Sequence, residues 1–489
     1  MLSWVLACSA PQLTSARPGE TAVDWTDHHG VVVIGTGPAG AAAALTARAD
    51  GADVLLLDRN DTPGLGLMLA GMGFAAGTRW QAERGITDSV ELAAIDWPEI
   101  TGARAEDGGV MDFLVHSAEN LEWLESYGML VSKVAEARDA GSVARVHATG
   151  WGQGEHDLHP LIEAFDGELR TNIEVTAPVM DGGRVIGVRW TDLSTGAEGA
   201  TRADAVVIAT GGFMRNLDEI ARVAPGLAAR DPVFESNPQS DGGGLPFLRV
   251  VGAGALAPGN LGVNVHSIQD PWLPDGESLL GVGVEAGIVV GVSGERFANE
   301  ELQRSFDLFN VLPVGDVFEI FTTKVADRIQ FVRPAYTWST TYQPETFSFS
   351  EVAAASAEIF AADSPAAMAA LAGIDETGML ETVEAWNATI AMSTADPYGR
   401  PMTGAEPLGG EQWFAVRLSP GLAKNFGGVA TDVDGHVLDE RGRPIPGLYA
   451  AGEVAGMVLA GGGGAGFAGS MNACYWGGRV AGASAAGSR

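Results

Sequence analysis

The chain has 489 residues, of which 46% are apolar, and its 62 acidic and 29 basic residues give a formal net charge of −33. The length suits a globular protein of two or three domains, and the acidic balance excludes nucleic acid as a partner, because phosphate binding needs clusters of Lys and Arg. The two Cys are too few for an iron–sulfur cluster, no C-x-x-C-H haem motif is present, and no metal site is predicted. Any electron donor or acceptor is therefore expected to be a separate molecule.

Residues 1–29 form a tail ahead of the first predicted domain. Val5-Leu6-Ala7-Cys8 resembles the lipobox of bacterial lipoproteins, in which Cys8 would carry a lipid anchor and place the protein at the cell envelope. The positive charges that open a signal peptide are missing, so a cytoplasmic protein stays the alternative. No apolar run reaches the ~18 residues of a membrane-spanning helix, and none is expected.

The next segment predicts a β-strand, an α-helix and a second β-strand. Residues 31–34 form an apolar run typical of a strand buried on both faces, and an Ala-rich helix is expected to end near Asp50. Residues 54–57 predict the second strand. Between the first strand and the helix stands Gly-Thr-Gly-Pro-Ala-Gly, the G-x-G-x-x-G fingerprint in the context that dinucleotide binding requires.

Each part of this unit has a physical role in binding a dinucleotide. Gly35 permits the tight turn, Gly37 lets a pyrophosphate lie against the helix N-terminus, and Gly40 allows close helix–strand packing. Asp58, at the end of the second strand, is expected to accept a hydrogen bond from a ribose hydroxyl. The cofactor-binding residues predicted from this unit are Gly35, Gly37, Pro38, Ala39, Gly40, Asp58 and Arg59.

Later Gly-rich stretches favour FAD over NAD. Residues 203–216 predict a buried strand followed by Thr-Gly-Gly, and residues 427–453 predict a β-meander whose last strand ends at Glu453. Glu453 is expected to bind ribityl or ribose hydroxyls, and the neighbourhood of Asn472 to approach the pyrimidine edge of the flavin. Small residues across 447–482 are expected to leave room for the cofactor. The further predicted FAD-binding residues are Gly71, Met72, Ala209, Thr210, Gly211, Glu453, Gly469, Ser470 and Met471.

Ordered sequence blocks at residues 73–92, 293–307 and 413–432, together with the dinucleotide unit, resemble the fumarate reductase/succinate dehydrogenase flavoprotein superfamily, and in particular its soluble single-chain members. The resemblance implies an α/β fold. A Rossmann-like FAD-binding domain would be discontinuous, over residues 30–258 and 424–489, with an inserted α+β capping domain over residues 259–423. It also implies non-covalent FAD, because the loop at 64–74 contains no His.

The resemblance assigns Arg304, four residues after Glu300, as the general acid of the reaction. Arg is a poor acid in water, with a pKa above ~12, so a relay that includes a carboxylate, matched here by Glu277, would resupply its proton. The position of the relay's second Arg holds Leu280. A structural ion pair between Arg304 and Glu300 or Glu301 is the alternative.

The residues that bind a substrate carboxylate in this family are changed. Lys424 stands where the family has a substrate-binding His, and residues 464–472 lack the Arg that grips a carboxylate. Fumarate and succinate are therefore unfavoured as substrates. Lys424 instead suits a ketone, as in relatives acting on 3-oxosteroids and cyclic enones, although a surface Lys is the alternative. His266 lies near another substrate His of the family, and a structural His is equally compatible with its sequence.

The expected function is that of an FAD-dependent oxidoreductase acting on a small-molecule substrate. Hydride would move between flavin N5 and a C–C bond next to a carbonyl, as in an ene-reductase or a dehydrogenase. The candidate catalytic residues are Arg304, Lys424, Glu277 and His266. An oxidase that uses O₂ and a non-catalytic flavin protein that relays electrons stay as alternatives.

Overall fold

A computed structural model describes residues 23–64, 72–101, 109–135, 141–150, 159–256, 260–274, 276–282, 287–300, 315–333, 345–458 and 470–487. The strands are β1 (Asp27–Ile34), β2 (Val54–Leu57), β3 (Met72–Phe74), β4 (Leu130–Ala135), β5 (Val146–Gly150), β6 (Glu168–Arg170), β7 (Ile173–Asp181), β8 (Arg184–Asp192), β9 (Glu198–Ile208), β10 (Val233–Phe234), β11 (Ala255–Leu256), β12 (Leu261–Gln269), β13 (Ser278–Val282), β14 (Ile288–Gly291), β15 (Val317–Thr322), β16 (Gln330–Val332), β17 (Thr346–Ser348), β18 (Ile359–Ala362), β19 (Trp413–Asn425), β20 (Gly428–Val429), β21 (His436–Leu438) and β22 (Pro444–Ala450).

The helices of the same described ranges complete the element list, and none of them is long and apolar enough to cross a bilayer. They are α1 (Pro38–Ala49), α2 (Arg79–Glu83), α3 (Val90–Thr101), α4 (Val110–Ser126), α5 (His159–Glu163), α6 (Leu217–Val223), α7 (Pro225–Ala228), α8 (Leu245–Val250), α9 (Thr323–Ala326), α10 (Phe349–Ala355), α11 (Pro365–Ala372), α12 (Glu376–Met392) and α13 (Met471–Ala485), with a 3-10 helix over Gly452–Val458.

The first sheet contains the predicted dinucleotide-binding unit. Its strands run in the order β21-β22-β9-β1-β2-β6, and β7 and β8 extend it from β9. β1 pairs in parallel with both β2 and β9, and β22 pairs in parallel with β9. The β1-α1-β2 unit matches the predicted elements closely, because α1 ends one residue before Asp50. The predicted α/β class is therefore confirmed.

α1 packs against α13 through small residues. A Cβ on Gly478 would lie 2.2 Å from the carbonyl oxygen of Ala39, and a Cβ on Gly482 would lie 2.3 Å from that of Ala43. These glycines let two helix backbones approach each other. The expectation that small residues across 447–482 make room for a cofactor is thus wrong for this pair, because the space is filled by α1.

In the part of the chain that the structure describes, the second sheet has nine strands, with β19 near its centre. The order is β14-β15-β19-β12-β13-β16-β17, with β10 and β18 also paired to β19. Its apolar side chains pack under α10, α11 and α12. The sheet takes in β10, from the predicted first segment of the FAD-binding domain, and β19 runs two residues past 423. Strand pairing therefore crosses the predicted bounds of the capping domain, and the division into domains stays a prediction.

Candidate functional site

A cleft with an empty volume of about 1240 Å³, measured out to open solvent, lies at the carboxyl ends of β1, β2 and β9. This is the edge of a parallel sheet where α/β proteins bind ligands. The residues predicted from the sequence that line it are Gly35, Gly37, Pro38, Ala39, Asp58, Arg59, Ala209, Thr210, Gly211, Glu453 and Met471. Gly40 and Ser470 do not line it, and the side chain of Met72 lies outside the described part of the structure. Cys8, Gly71, Arg304 and Gly469 lie outside the described residues.

The turn between β1 and α1 has the backbone that a phosphate needs. Gly35 has a φ of +101°, and a Cβ there would lie 2.4 Å from the carbonyl oxygen of Ala209. Gly37 is the N-cap of α1, and a Cβ there would meet no protein atom within 4 Å. Gly40 packs the helix on the strand, since its Cβ would lie 1.9 Å from Gly35 O. The open space at Gly37, beside a helix N-terminus, fits a pyrophosphate.

Asp58 is oriented by its neighbours at the end of β2. The backbone N–H of Thr36 donates to Asp58 Oδ2 over 3.0 Å, and the Thr36 hydroxyl donates to the same oxygen. Asn60 donates to Oδ1 through its backbone N–H and its side-chain amide, both over 2.8 Å. Thr210 follows β9, which is separated from β2 by β1 in the sheet. Its buried hydroxyl has no hydrogen-bond partner among the described residues. A ligand rich in hydroxyl and phosphate groups suits this lining.

A polar segment at residues 237–244 closes one side of the cleft and was not predicted as part of the site. Arg59 Nη1 lies 2.6 Å from Asp241 Oδ2, and Arg59 Nη2 donates to Gln239 Oε1 over 3.1 Å. These contacts tie the segment to the end of β2. Its sequence, Asn-Pro-Gln-Ser-Asp-Gly-Gly-Gly, shows only the composition of a loop, so no local signal identified its role.

Glu453 lines the cleft from the 3-10 helix that follows β22. Its Oε1 accepts the backbone N–H of Asn425 over 2.9 Å, and the Asn425 side chain donates to the Glu453 carbonyl over 2.9 Å. Gly212 has to be glycine here, because a Cβ would lie 2.4 Å from Glu453 Oε1. Burial raises the pKa of Glu453 from 4.5 to about 7, against the lowering effects of Asn425 and Lys424. The Glu453 carboxyl is therefore fixed at the cleft wall, where it can hydrogen-bond to a ligand.

Lys424 does not line the cleft itself but lies near its residue Glu453, on which it acts electrostatically. Its Nζ donates to Ser470 Oγ over 3.0 Å and stands 5.2 Å from the ring centroid of Phe426. The side chain is half-buried, unlike that of a lysine on the open surface. Cys474 also lines the cleft, and burial raises the pKa of its thiol to about 12. Cys474 was not predicted, because a single Cys in a small-residue helix gives no signal.

Asn472 serves the protein interior. Its side-chain amide donates to Phe74 O over 2.8 Å and to Ser117 O over 2.9 Å, and its Oδ1 accepts from Asn120 over 2.8 Å. This side chain ties α13 to β3 and α4. The expectation that Asn472 reaches the flavin is therefore wrong for its side chain, while its neighbour Met471 does line the cleft.

His266 and Glu277 do not line the cleft. His266 is buried on β12, with Nδ1 3.1 Å from Glu319 Oε2, and burial raises the pKa of Glu319. Glu277 forms a bidentate pair with Arg215, whose Nη2 lies 3.1 Å from Glu277 Oε2. Their proposed catalytic roles stay predictions, and the alternative of a structural His266 matches its enclosure.

Arg296 forms an ion pair with Glu300, which the sequence analysis named as a possible structural partner of Arg304. The guanidinium of Arg296 donates to both oxygens of Glu300 over 2.8 Å, and Arg400 Nη1 adds a third contact over 3.1 Å. Glu300 is thus already neutralised by two cations. An ion pair with Arg304 is not needed to explain the burial of Glu300.

Asp432 and Asp434 lie in the turn between β20 and β21, and His436 is the first residue of β21. The potential metal-ligand atoms of these three residues all lie within 4.8 Å of one another. Asp432 Oδ1 accepts the backbone N–H groups of Asp434 and His436, over 3.1 and 2.9 Å. The hydrogen bonds of the turn account for the cluster without an ion. The expectation that the protein has no metal site stays a prediction.

The comparisons with known proteins agree with the chemistry of the cleft. A family model described as an FAD binding domain matches residues 30–472. The NADH:fumarate oxidoreductase of Klebsiella pneumoniae (strain 342) is 28% identical over 442 residues, which cover 88% of this chain and 45% of that protein. The chain therefore spans less than half the length of this relative. The vinyl phenol reductase of Lactiplantibacillus plantarum is 26% identical, covering 88% of this chain and 91% of that protein.

A solved structure extends the likeness to the fold. The 3-ketosteroid-Δ4-(5α)-dehydrogenase of Rhodococcus jostii RHA1 has a TM-score of 0.72 with 24% identity, over 95% of this chain and 98% of that one. The family model covers nearly the whole chain, and the cleft has the backbone and polar groups that a dinucleotide needs. The chain therefore belongs to the fumarate reductase/succinate dehydrogenase flavoprotein family, and FAD is the cofactor that its cleft binds.

Proposed function

We propose that the protein is an FAD-dependent oxidoreductase that transfers hydride between FAD and a C–C bond next to a carbonyl, as an ene-reductase or a dehydrogenase. FAD supplies the hydride-transfer chemistry when it is bound. The observation that carries the proposal is the half-buried ammonium of Lys424, held by Ser470 at the end of the FAD cleft. The two curated relatives support it, since their names give fumarate and a vinyl phenol as substrates, and both contain a conjugated C=C bond.

The residues around Lys424 argue against a dicarboxylate substrate. Two carboxylates need two or more cations in a site of low dielectric. Of the residues that the structure describes at this end of the cleft, Lys424 supplies one cation, and the aromatic ring of Phe426 stands beside it. A single carbonyl needs only one donor and tolerates an apolar surrounding. A cyclic enone, or its saturated ketone in the reverse direction, is therefore the proposed substrate class, with Lys424 donating to the carbonyl oxygen.

Anaerobic reoxidation of the reduced holoprotein tests this function. The protein is purified with FAD and reduced with dithionite, and cyclic enones, enoates and fumarate are then added separately while flavin absorbance is followed. We expect an enone to restore the oxidised spectrum and fumarate to act more slowly by about tenfold or more. Lys424→Met should lose most of the enone activity, because the carbonyl oxygen loses its donor.

Two other outcomes would contradict the proposal. Failure of the whole panel, with peroxide released in air, would favour a flavoprotein oxidase. Failure of the panel without peroxide would favour a protein that only relays electrons to a partner. The separate electron donor, the small-molecule substrate and a lipid anchor at Cys8 all belong to the proposal, and mass spectrometry of the mature N-terminus tests the anchor.

A further inference from the structure

The sheet order gives the direction in which FAD lies in the cleft. Asp58 follows β2, whereas Glu453 follows β22, and β1 and β9 lie between these two strands. Three strand spacings separate β2 from β22, which corresponds to about 14 Å. With the ribose at Asp58 and the pyrophosphate at Gly37, the flavin half of FAD extends toward Glu453, Met471 and Cys474.

Lys424 is held at this flavin end by two elements. The residue after it, Asn425, is the last of β19 and binds the Glu453 carboxyl through its backbone N–H over 2.9 Å. The Nζ of Lys424 donates to Ser470 Oγ over 3.0 Å, and Ser470 directly precedes the cleft residue Met471. The ammonium is therefore fixed close to the cleft residues Glu453 and Met471, at the end to which the flavin half extends.

The charges at this end of the cleft favour negative charge on a ligand. Burial raises the pKa of Glu453 to about 7, so near neutral pH and below it a large fraction of the carboxyl is uncharged. Burial also keeps the Cys474 thiol neutral, since its pKa is about 12. Lys424 opposes both of these upward shifts, which means that its field reaches both groups. Near neutral pH and below it, these three groups together carry a net positive charge.

We propose that Lys424 acts on the cofactor as well as on the substrate, and that its ammonium sets the reduction potential of the bound FAD. Two electrons and one proton, taken up at N5, leave one negative charge on the N1–C2=O side of the flavin ring. A fixed cation nearby stabilises this charge, and in a partly buried site the interaction is little screened by salt. The potential of the wild-type protein is therefore raised by Lys424.

The reduction potential is measured by titrating the FAD-loaded protein with dithionite in the presence of a reference dye. Lys424→Met and Lys424→Gln are expected to shift the equilibrium toward oxidised FAD by about tenfold, which is about 30 mV for a two-electron couple. Gln removes the charge but can keep a hydrogen bond to Ser470, so it separates the two effects and replaces Met if that variant loses FAD. Lys424→Arg keeps the charge and should retain the wild-type potential.

Lys324→Met is the matched control, because Lys324 is an exposed lysine on α9, which directly follows β15 of the second sheet. It should leave the potential unchanged. A second readout is sulfite, which adds to flavin N5 and leaves the same ring charge, and its affinity should fall in the two neutral variants. Neutral variants with the wild-type potential, or with a higher one, would overturn the proposal. The titration needs no organic substrate, so its result is independent of the proposed reaction.

Discussion

At Gly37 the cleft and the fold make different demands on one residue. Its φ of −65° suits any L-residue, and a Cβ there meets only the open cleft. The free energy of unfolding of the Gly37→Val apoprotein, measured in urea, should therefore stay within about 1 kcal/mol of the wild-type value. The valine side chain takes the space of the pyrophosphate, so FAD should be lost. Flavin absorbance after purification measures the retained cofactor.

Gly35→Ala is the comparison for this substitution. Its positive φ and the carbonyl of Ala209 make an added Cβ strained whether or not FAD is present, so this variant should be destabilised as an apoprotein. A yellow Gly37→Val protein with the wild-type FAD content would contradict the placement of the pyrophosphate.

Glu453 links the cleft to the pH dependence of stability. Its pKa is 4.5 in the unfolded reference and about 7 in the folded protein, so the folded state binds the proton more tightly. The stability that this proton contributes is complete below pH 4.5 and is lost as the pH rises through 7. Glu453→Gln removes this loss. As the pH rises from about 4 to about 8, the free energy of unfolding of Glu453→Gln should increase relative to that of the wild type by up to about 3 kcal/mol.

Urea titrations of the FAD-free proteins across this range measure the difference. Glu440→Gln changes an exposed carboxylate near the same sheet and should run parallel to the wild type. Parallel curves for Glu453→Gln as well would show that the Glu453 carboxyl is not raised in pKa by burial.

At the scale of elements, local signals were sufficient and long-range ones were missed. The β1-α1-β2 unit could be predicted because its strand, turn and helix signals are contiguous, and the turn has a fixed glycine spacing. The partner of Asn472 is Asn120, 352 positions away, and no local pattern connects them. The segment at 237–244 is held at the end of β2 by Arg59, and no local pattern predicts that contact. The fold determines which side chains at the ends of distant elements come into contact, and the sequence alone does not show these pairs.

The crossing of α1 and α13 gives a prediction at this scale. Gly478→Ala places a Cβ 2.2 Å from the carbonyl oxygen of Ala39, closer than a carbon and an oxygen atom can approach without a bond, so the helices must separate. We expect a net loss of about 1–3 kcal/mol in unfolding free energy, although alanine is the better helix former by about 1 kcal/mol. FAD affinity should also fall, because α13 begins at the cleft.

Gly226→Ala, in the short helix α7, is the control for this substitution. Its Cβ would meet nothing within 4 Å, so the change should be neutral or stabilising. Thermal unfolding of both variants measures the contrast. Equal melting temperatures for the two variants would show that the helix crossing relaxes without cost.

At the scale of the whole molecule, the cleft is assembled from separate stretches of sequence that range from residue 34 to residue 474. The ends of β1, β2, β9 and β22 meet at it, and the parallel pairing of β22 with β9 brings Glu453 back to the first sheet. That return could be predicted from the resemblance but not from composition. The extent of the second sheet could not, since β10 joins it through only two residues, Val233 and Phe234.

The net charge of −33 should govern how small electron donors reach the flavin. Reduced methyl viologen is a cation and the reactive form of dithionite is an anion, so the acidic surface attracts one and repels the other. Raising the ionic strength from about 0.01 M to about 0.1 M shortens the screening length from about 30 Å to about 10 Å. The rate of flavin reduction by viologen should then fall by about tenfold and the rate with dithionite should rise, in anaerobic stopped-flow measurements. Each donor is the control for the other, because a general effect of salt on the protein would move both rates in one direction. A viologen rate that rises with salt while the dithionite rate falls would mean that the local field at the cleft entrance, set by groups such as Lys424, outweighs the charge of the whole surface.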